Sequence, residues 1–164
     1  MNVSLGKSCS FFGHRKIVID DNLINFLHQH IEWLIINGFD TFYFGGFGEF
    51  DDLCYIIVSK LKKEYSHIKR IFCLSDRKHL NPKKRPSYLN AEEYEDFLYF
   101  ELDFDYWYQR IYFRNCEIIK NSDYIIFFVT NTENSGANKA LDFAKKIKKN
   151  YINTAIEIKA KSDS

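Results

Sequence analysis

The sequence predicts an α/β fold: a single Rossmann-like open, mainly parallel sheet flanked by helices on both faces. Three observations carry this expectation. Strand-like and helix-like runs alternate along the 164 residues, which is the pattern of successive βαβ units. The strand candidates are short and near-continuously apolar, "DYIIFFVT" above all, as parallel strands covered on both faces are. Turns of glycine and other small residues follow several of them, at the edge where open α/β sheets take their ligands.

The first strand is predicted at about Ser8–Phe12. In the helix that follows, Asp20 or Asp21 is the N-cap, Leu23, Leu27, Ile31 and Leu34/Ile35 form the inward stripe, and Gly38 stops it. Thr41 to Phe44 is the second strand. The next helix repeats the spacing through Leu53, Ile57, Leu61 and Tyr65, and "IKRIFCL" is the third strand. The alternation then breaks. Residues 75–104 hold both prolines, Pro82 and Pro86, a basic "KKR" and an acidic-aromatic run. That is too long for an ordinary connection and reads as an insert or lid. "YWYQRIYFRNCEIIKNS" is helical, "DYIIFFVT" is a central strand, "SGANKALDFAKKIKK" is a helix with Ala140, Leu141, Ala144 and Ile147 inward, and "NTAIEI" is the last strand. The length fits one domain over residues 1–164.

Net charge is +1, with 23 basic and 22 acidic side chains. This gives no electrostatic case for nucleic acid, which needs a basic face, or for a membrane. No apolar run approaches the ~18 residues of a membrane span. Cys9, Cys54, Cys73 and Cys116 lie far apart, with no ligand pairs. They read as apolar packers in a reducing compartment, which argues against a zinc site and for a cytoplasmic protein. Aromatic content is high, with 16 Phe and 11 Tyr. Trp107, Tyr108 and Tyr112 are either core or a base-stacking wall, with core favoured for at least two of them.

The strand ends offer the candidate site. Gly13-His14-Arg15 follows the first strand, Gly45-Gly46-Phe47-Gly48-Glu49-Phe50-Asp51 the second, and Ser135-Gly136-Ala137 opens the helix after "DYIIFFVT". Glycines admit a ligand to the backbone, and helix N-termini attract phosphate. "GGFG" is neither a phosphate-binding P-loop nor a dinucleotide fingerprint. Arg110 and Arg114 share a helical face, and Asn115 sits mid-helix against its propensity. Asp51 either complements a helix dipole or binds a ribose hydroxyl. His14 is a turn residue or a general acid/base.

"CSFFGHR", "FYFGGFGEFD", "YFRNCEIIKNSDYIIFF" and "SGANKALDFAKK", in this order, resemble the YpsA-like branch of the SLOG superfamily. The superfamily also holds the LOG phosphoribohydrolases and the Rossmann-like core of DprA. The resemblance spans the chain except for the 75–104 region. It implies a nucleotide-derived ligand at Gly13, His14, Arg15, Gly45, Gly46, Gly48, Asp51, Arg114, Asn115, Ser135, Gly136 and Ala137. It also implies homodimers or higher homo-oligomers. No cofactor and no metal are expected.

The LOG enzymes carry a catalytic glutamate where this chain has Ala140. Cleavage of a glycosidic bond needs a placed carboxylate, so the leading expectation is binding without turnover and no catalytic residue. The ligand class is an ADP-ribose-type or cyclic nucleotide signal, and the role is sensing or sequestration of an immune signal, as an anti-defence sponge of phage type. The alternative is a LOG-like N-glycosidase, with Glu49, Asp51 or Asp52 standing in for the glutamate. A DprA-like nucleic-acid module is a further rival, against which the net charge argues.

Overall fold

In the computed structural model, residues 6–45, 48–91, 93–130 and 135–162 are described. Six strands form one sheet in the order β4-β3-β2-β1-β5-β6, and every neighbouring pair is parallel. The strands are β1 (Lys7–Gly13), β2 (Phe39–Phe44), β3 (Lys69–Leu74), β4 (Asp96–Tyr99), β5 (Tyr124–Phe128) and β6 (Tyr151–Asn153). The helices are α1 (Asp21–Ile36), α2 (Glu49–Lys62), α3 (Ser87–Ala91), α4 (Trp107–Lys120), α5 (Gly136–Lys146) and α6 (Thr154–Ser162). From β1 the chain winds outward to β4, then returns to the other side of β1 to lay down β5 and β6. The expected Rossmann-like open sheet is therefore the fold, with its switch point between β1 and β5.

The sheet is apolar on both faces because its central strands alternate between two cores. Cys9 and Phe11 of β1 enter the core beneath α1 and α2, with Leu23, Leu27, Ile31, Phe50 and Ile57. Phe12 points the other way, into the core beneath α4 and α5, with Ile118, Phe127, Ala140 and Ala144. Ser10 is buried on that second face, where the Ser122 hydroxyl donates to the Ile118 carbonyl at 2.7 Å and lies 2.8 Å from the Ser10 hydroxyl. Asp20 caps α1, its Oδ1 accepting from the Leu23 amide at 2.9 Å. Gly38, just beyond the α1 C-cap, takes φ +97°. All four cysteines are free and buried.

Three details differ from the sequence reading. The run "NTAIEI" is not a strand: β6 ends at Asn153, and Thr154 begins α6. The side chains explain the break. Asn153 donates to the Val129 carbonyl (2.8 Å) and accepts from its amide (3.0 Å), and the Thr154 hydroxyl donates to the Phe127 carbonyl (2.7 Å). Those bonds replace a backbone ladder, so the chain is free to turn into a helix. Ile147 lies past the end of α5 and is 36% exposed. Tyr65 likewise falls beyond the end of α2.

The 75–104 region holds two 3-10 turns, α3 and β4. β4 was not foreseen, and it extends the sheet beside β3. A part-buried ion pair fastens it: Arg70 of β3 meets Glu95 at 2.9–3.2 Å through Nε and Nη2, while its Nη1 donates to Ser59 at 3.0 Å. Tyr55 accepts from the Glu93 amide and donates to its carbonyl, both at 2.8 Å, and Tyr94 packs among Tyr55, Phe72 and Phe97. Removing Glu95 leaves the Arg70 guanidinium with Ser59 and the exposed Glu93 as its partners. Glu95→Ala is therefore expected to lower unfolding stability by about 1–2 kcal/mol in urea titration. It should also open residues 75–104 to limited proteolysis before β1 or β2 is cut.

Candidate functional site

At the carboxyl edge of the sheet, over the switch point, lies a cleft of about 730 Å³. The loop after β1 supplies Gly13, His14 and Arg15, and α2 supplies Asp51. The inner face of α4 supplies Arg114 and Asn115, and the start of α5 supplies Ser135, Gly136 and Ala137. The structure thus brings together most of the residues singled out from the sequence. Gly45 and Gly48 stand behind the wall, and Gly46 lies outside the described residues.

The glycines make room for the arginines. A Cβ on Gly45 would stand 3.2 Å from Arg114 Cζ, and one on Gly48 would stand 2.5 Å from Arg15 Cα. Gly48 also takes φ +125°, in the region that favours glycine. A Cβ on Gly13 would meet the ring of buried Phe50 at 2.4 Å. The same region is stitched across strands. The Glu49 amide donates to the Arg15 carbonyl (2.8 Å), and Glu49 Oε2 accepts from the Ile17 amide (2.7 Å).

Arg114 is 2% exposed. Its Nη2 donates to Asn115 Oδ1 at 3.0 Å, and Nη1 reaches the Cys73 carbonyl only at 3.5 Å. Nε has no hydrogen-bond partner among the described residues, and there Arg114 makes no ion pair. Burial lowers its pKa, while the Cys73 thiol and Asp51 oppose that. A guanidinium does not lose its proton in water at neutral pH. The cleft therefore has an under-satisfied cation at its floor.

Asp51 is the nearby acid, and it does not fill that deficit. Burial pushes its carboxyl up to about 8; Arg114 pulls it down, and Asp52 pushes it further up. Near neutral pH it holds a proton and carries no charge. Asp52 is exposed, and Glu49 is committed to the Ile17 amide.

His14 ties the two loops of the switch point together. Its Nε2 accepts from the Thr130 amide at 2.9 Å, which places the remaining ring proton on Nδ1, 3.4 Å from the Ser135 hydroxyl. Ser135 caps α5, accepting from the Asn138 amide at 3.2 Å. The amides of Gly136 and Ala137 have no intrahelical partner, and both residues line the cleft. The first turns of two helices, α2 and α5, line the cleft. The first turn of α2 carries Glu49, Asp51 and Asp52, whereas that of α5 carries no acid. The α5 end is the one electrostatically open to an anion, and exposed Arg15 and Lys16 stand at its rim.

Several residues differ from the sequence reading. Trp107, Tyr108 and Tyr112 are 63%, 54% and 36% exposed, so none belongs to the core. Tyr108 and Tyr112 line a groove on the outer face of α4, away from the cleft, whereas Trp107 lines neither and shares the helical stripe of Ile111 and Arg114. Arg110 turns back to the carbonyls of Phe104 and Asp105 and does not line the cleft. Ala140 is buried in the second core. Lys16, Ile111 and Thr130 line the cleft unforeseen. Lys16 was legible as the cation next to Arg15, and Ile111 as the residue one helical turn before Arg114. Thr130 contributes its backbone, which leaves no mark in a sequence. Among the described residues no group of three or more His, Cys, Asp or Glu side chains could hold a metal, and no helix is long and apolar enough to cross a membrane.

No family model matches the chain, and no curated protein matches its sequence. Its structure is similar to that of DNA processing protein A from Helicobacter pylori, solved for that protein's single-stranded DNA binding mode. The TM-score is 0.59 at 18% identity, over 89% of this chain. This chain spans 64% of the length of that one. At this identity the likeness is one of fold.

The half-buried carboxyl of Asp51 makes a testable statement. Its pKa is about 8 folded against 3.8 as a free side chain, so the folded state holds the proton more tightly. Its contribution to stability is fully present below about pH 4 and is lost as pH rises through about 8. Asp51→Asn, which cannot ionise, is expected to narrow the fall in melting temperature between pH 5 and 9, measured by calorimetry.

Proposed function

We propose that this protein binds a nucleotide-derived small molecule at the switch-point cleft without converting it. The observation that carries the reading is Arg114: a buried guanidinium lining the cleft, with Nε unsatisfied and no ion-pair partner among the described residues. An isolated buried charge costs several kcal/mol, and an anionic ligand would offset that cost. The α5 N-terminus, Arg15 and Lys16 would take phosphate oxygens, and protonated Asp51 would donate to a ribose or phosphate oxygen. Recognition of this kind fits an ADP-ribose-type or cyclic nucleotide signal. Tight binding without turnover would suit sequestration or sensing of such a signal, as in a phage-type sponge against nucleotide-based defence.

A second reading has its own support. A carboxyl that keeps its proton near pH 7 in a cleft is what a general acid requires. In an N-glycosidase of nucleotides, Asp51 would protonate the leaving base. The position of Ala140 in the core speaks against a carboxylate on α5, but not against one on α2. Nucleic acid also returns as a ligand class: net charge argued against it, yet a protein of similar fold binds single-stranded DNA.

Isothermal titration with ADP-ribose, a cyclic dinucleotide, a nucleoside monophosphate and a short single-stranded oligonucleotide, with chromatography of each mixture, separates these readings. One small nucleotide is expected to bind with Kd of about 1 μM or tighter and to be recovered intact. Catalytic release of free base would install the enzyme reading, and binding of the oligonucleotide alone would install the nucleic-acid one. Arg114→Met is expected to abolish the small-molecule titration while leaving the melting temperature unchanged or raised, because an apolar isostere relieves the buried charge. For a ligand of constant charge, affinity should fall as pH passes about 8, when Asp51 ionises beside Arg114. Asp51→Asn should remove that fall.

A further inference from the structure

We propose that Trp107 is the platform on which the base of the bound nucleotide stacks, so that the cleft selects a ligand carrying a nucleobase over a bare sugar phosphate. The inference rests on the reading of the cleft as a nucleotide site. That site is rich in partners for phosphate and sugar and poor in partners for a base. Of the rings that line it, Phe12 is buried in the second core. His14 is held by the Thr130 amide at 2.9 Å, with the Ser135 hydroxyl at 3.4 Å. A base left in water forfeits the apolar burial and stacking that a nucleotide offers in addition to its charge. An exposed ring within reach of Arg114 supplies both.

Helical spacing puts Trp107 in that place. Trp107, Ile111 and Arg114 stand at i, i+4 and i+7 on α4 and share one stripe. The stripe emerges from the protein step by step. Arg114 is 2% exposed, Ile111 is half-buried in the cleft wall, and Trp107 is 63% exposed. Its direction follows from the topology. α4 ends at Lys120 and β5 begins at Tyr124, so the C-terminal end of α4 lies at the amino edge of the parallel sheet. Its first turn therefore lies at the carboxyl edge, where the cleft opens. Seven residues of helix set Trp107 about 10 Å beyond Arg114 along the axis, a separation of the kind that divides a nucleotide's phosphate from its base. The indole is also available. Its ring contact among the described residues is with Tyr108, edge to face at 6.0 Å, which covers at most one of its faces. Other rings of the region are engaged elsewhere: Tyr108 and Tyr112 line the groove on the outer face of α4, and Phe113 stacks on Phe104 at 4.2 Å. Every base has a π-face to stack, so Trp107 selects for the presence of a base more than for its identity.

The chain has two tryptophans. The other, Trp33, lies near the C-terminal end of α1, toward the amino edge of the sheet, so Trp33→Phe leaves Trp107 as the sole indole reporter. In that variant of the full chain, whichever of ADP-ribose, the cyclic dinucleotide and the nucleoside monophosphate binds in calorimetry is expected to quench the indole fluorescence saturably. The midpoint should fall at the calorimetric Kd. In the otherwise native chain, Trp107→Ala and Trp107→Leu should each weaken that nucleotide about 10- to 100-fold, and Trp107→Phe should restore most of the affinity. Trp107 is exposed, so the melting temperatures of all three should match the wild type. A bound nucleotide that leaves the fluorescence unchanged overturns the inference and leaves the nucleotide reading standing. A Trp107→Leu protein that binds as tightly as wild type does the same. If none of the three nucleotides binds the wild-type chain, the nucleotide reading falls, and the inference falls with it.

Discussion

The burial of Arg114 is the constraint around which this edge of the molecule is arranged. A guanidinium that is 2% exposed must be given space, acceptors and some relief of charge. Space comes from the missing side chain at Gly45, where β2 ends. Acceptors come from the Cys73 carbonyl of β3 and from Asn115, and they do not suffice. Among the described residues relief of charge does not come from the acid close by, because Asp51 is pushed to about 8 by desolvation. A protein selected for stability alone would replace such a group with an apolar one. Its presence beneath a cleft at the switch point of a parallel sheet is the mark of a site kept for something that arrives from outside.

The loops around the cleft are built to present charge without closing over it. Gly48 lets the chain pass against Arg15, and Glu49 then fastens the β1 loop to the first turn of α2. His14 does the equivalent for the β1 and β5 loops, through a ring nitrogen that accepts from Thr130. The side chains left facing outward at the rim are Arg15 and Lys16. Acids crowd the N-terminus of α2 and are absent from that of α5, so the local field has a direction although the molecule as a whole is nearly neutral. Net charge, which weighed against polyanions at the outset, is a poor guide to a field made by a few fixed groups.

Much of this was legible in the sequence, and the reasons are specific. The α1 stripe from Leu23 to Ile35, its Asp20 cap and the apolar β5 run follow from periodicity and burial. The small-residue turns after β1, β2 and β5 located the cleft because the fold class puts strand ends together. What escaped notice depended on partners distant in sequence. β4 exists because Arg70 and Tyr55 capture Glu95 and Glu93. The helical fate of Thr154 is decided by Phe127, 27 residues earlier. Trp107, Tyr108 and Tyr112 looked like core because large rings usually are, but the buried stripe of α4 is Arg114, Cys116, Ile118 and Ile119, which leaves the rings of its first turns exposed. Asp51 was recognised as a site residue, but its held proton was not, because that depends on the atoms packed around it.

The four cysteines have a use unconnected with their packing role. Each is buried and unpaired, and burial pushes the thiols of Cys9, Cys54 and Cys73 above their ordinary range, that of Cys73 to about 12. Thiolate is the reactive form, so Cys9, Cys54 and Cys73 are nearly inert to alkylating reagents in the folded chain and each modification of them records an opening event, whereas Cys116 lines the groove beside α4. Cys73 stands immediately under the Arg114 guanidinium through its carbonyl, whereas Cys9 and Cys54 lie on the opposite side of the sheet. The chain thus carries two internal clocks, one set beneath the cleft and one in the far core. The difference between their labelling rates tells whether whatever occupies the cleft steadies only its own floor or the whole sheet.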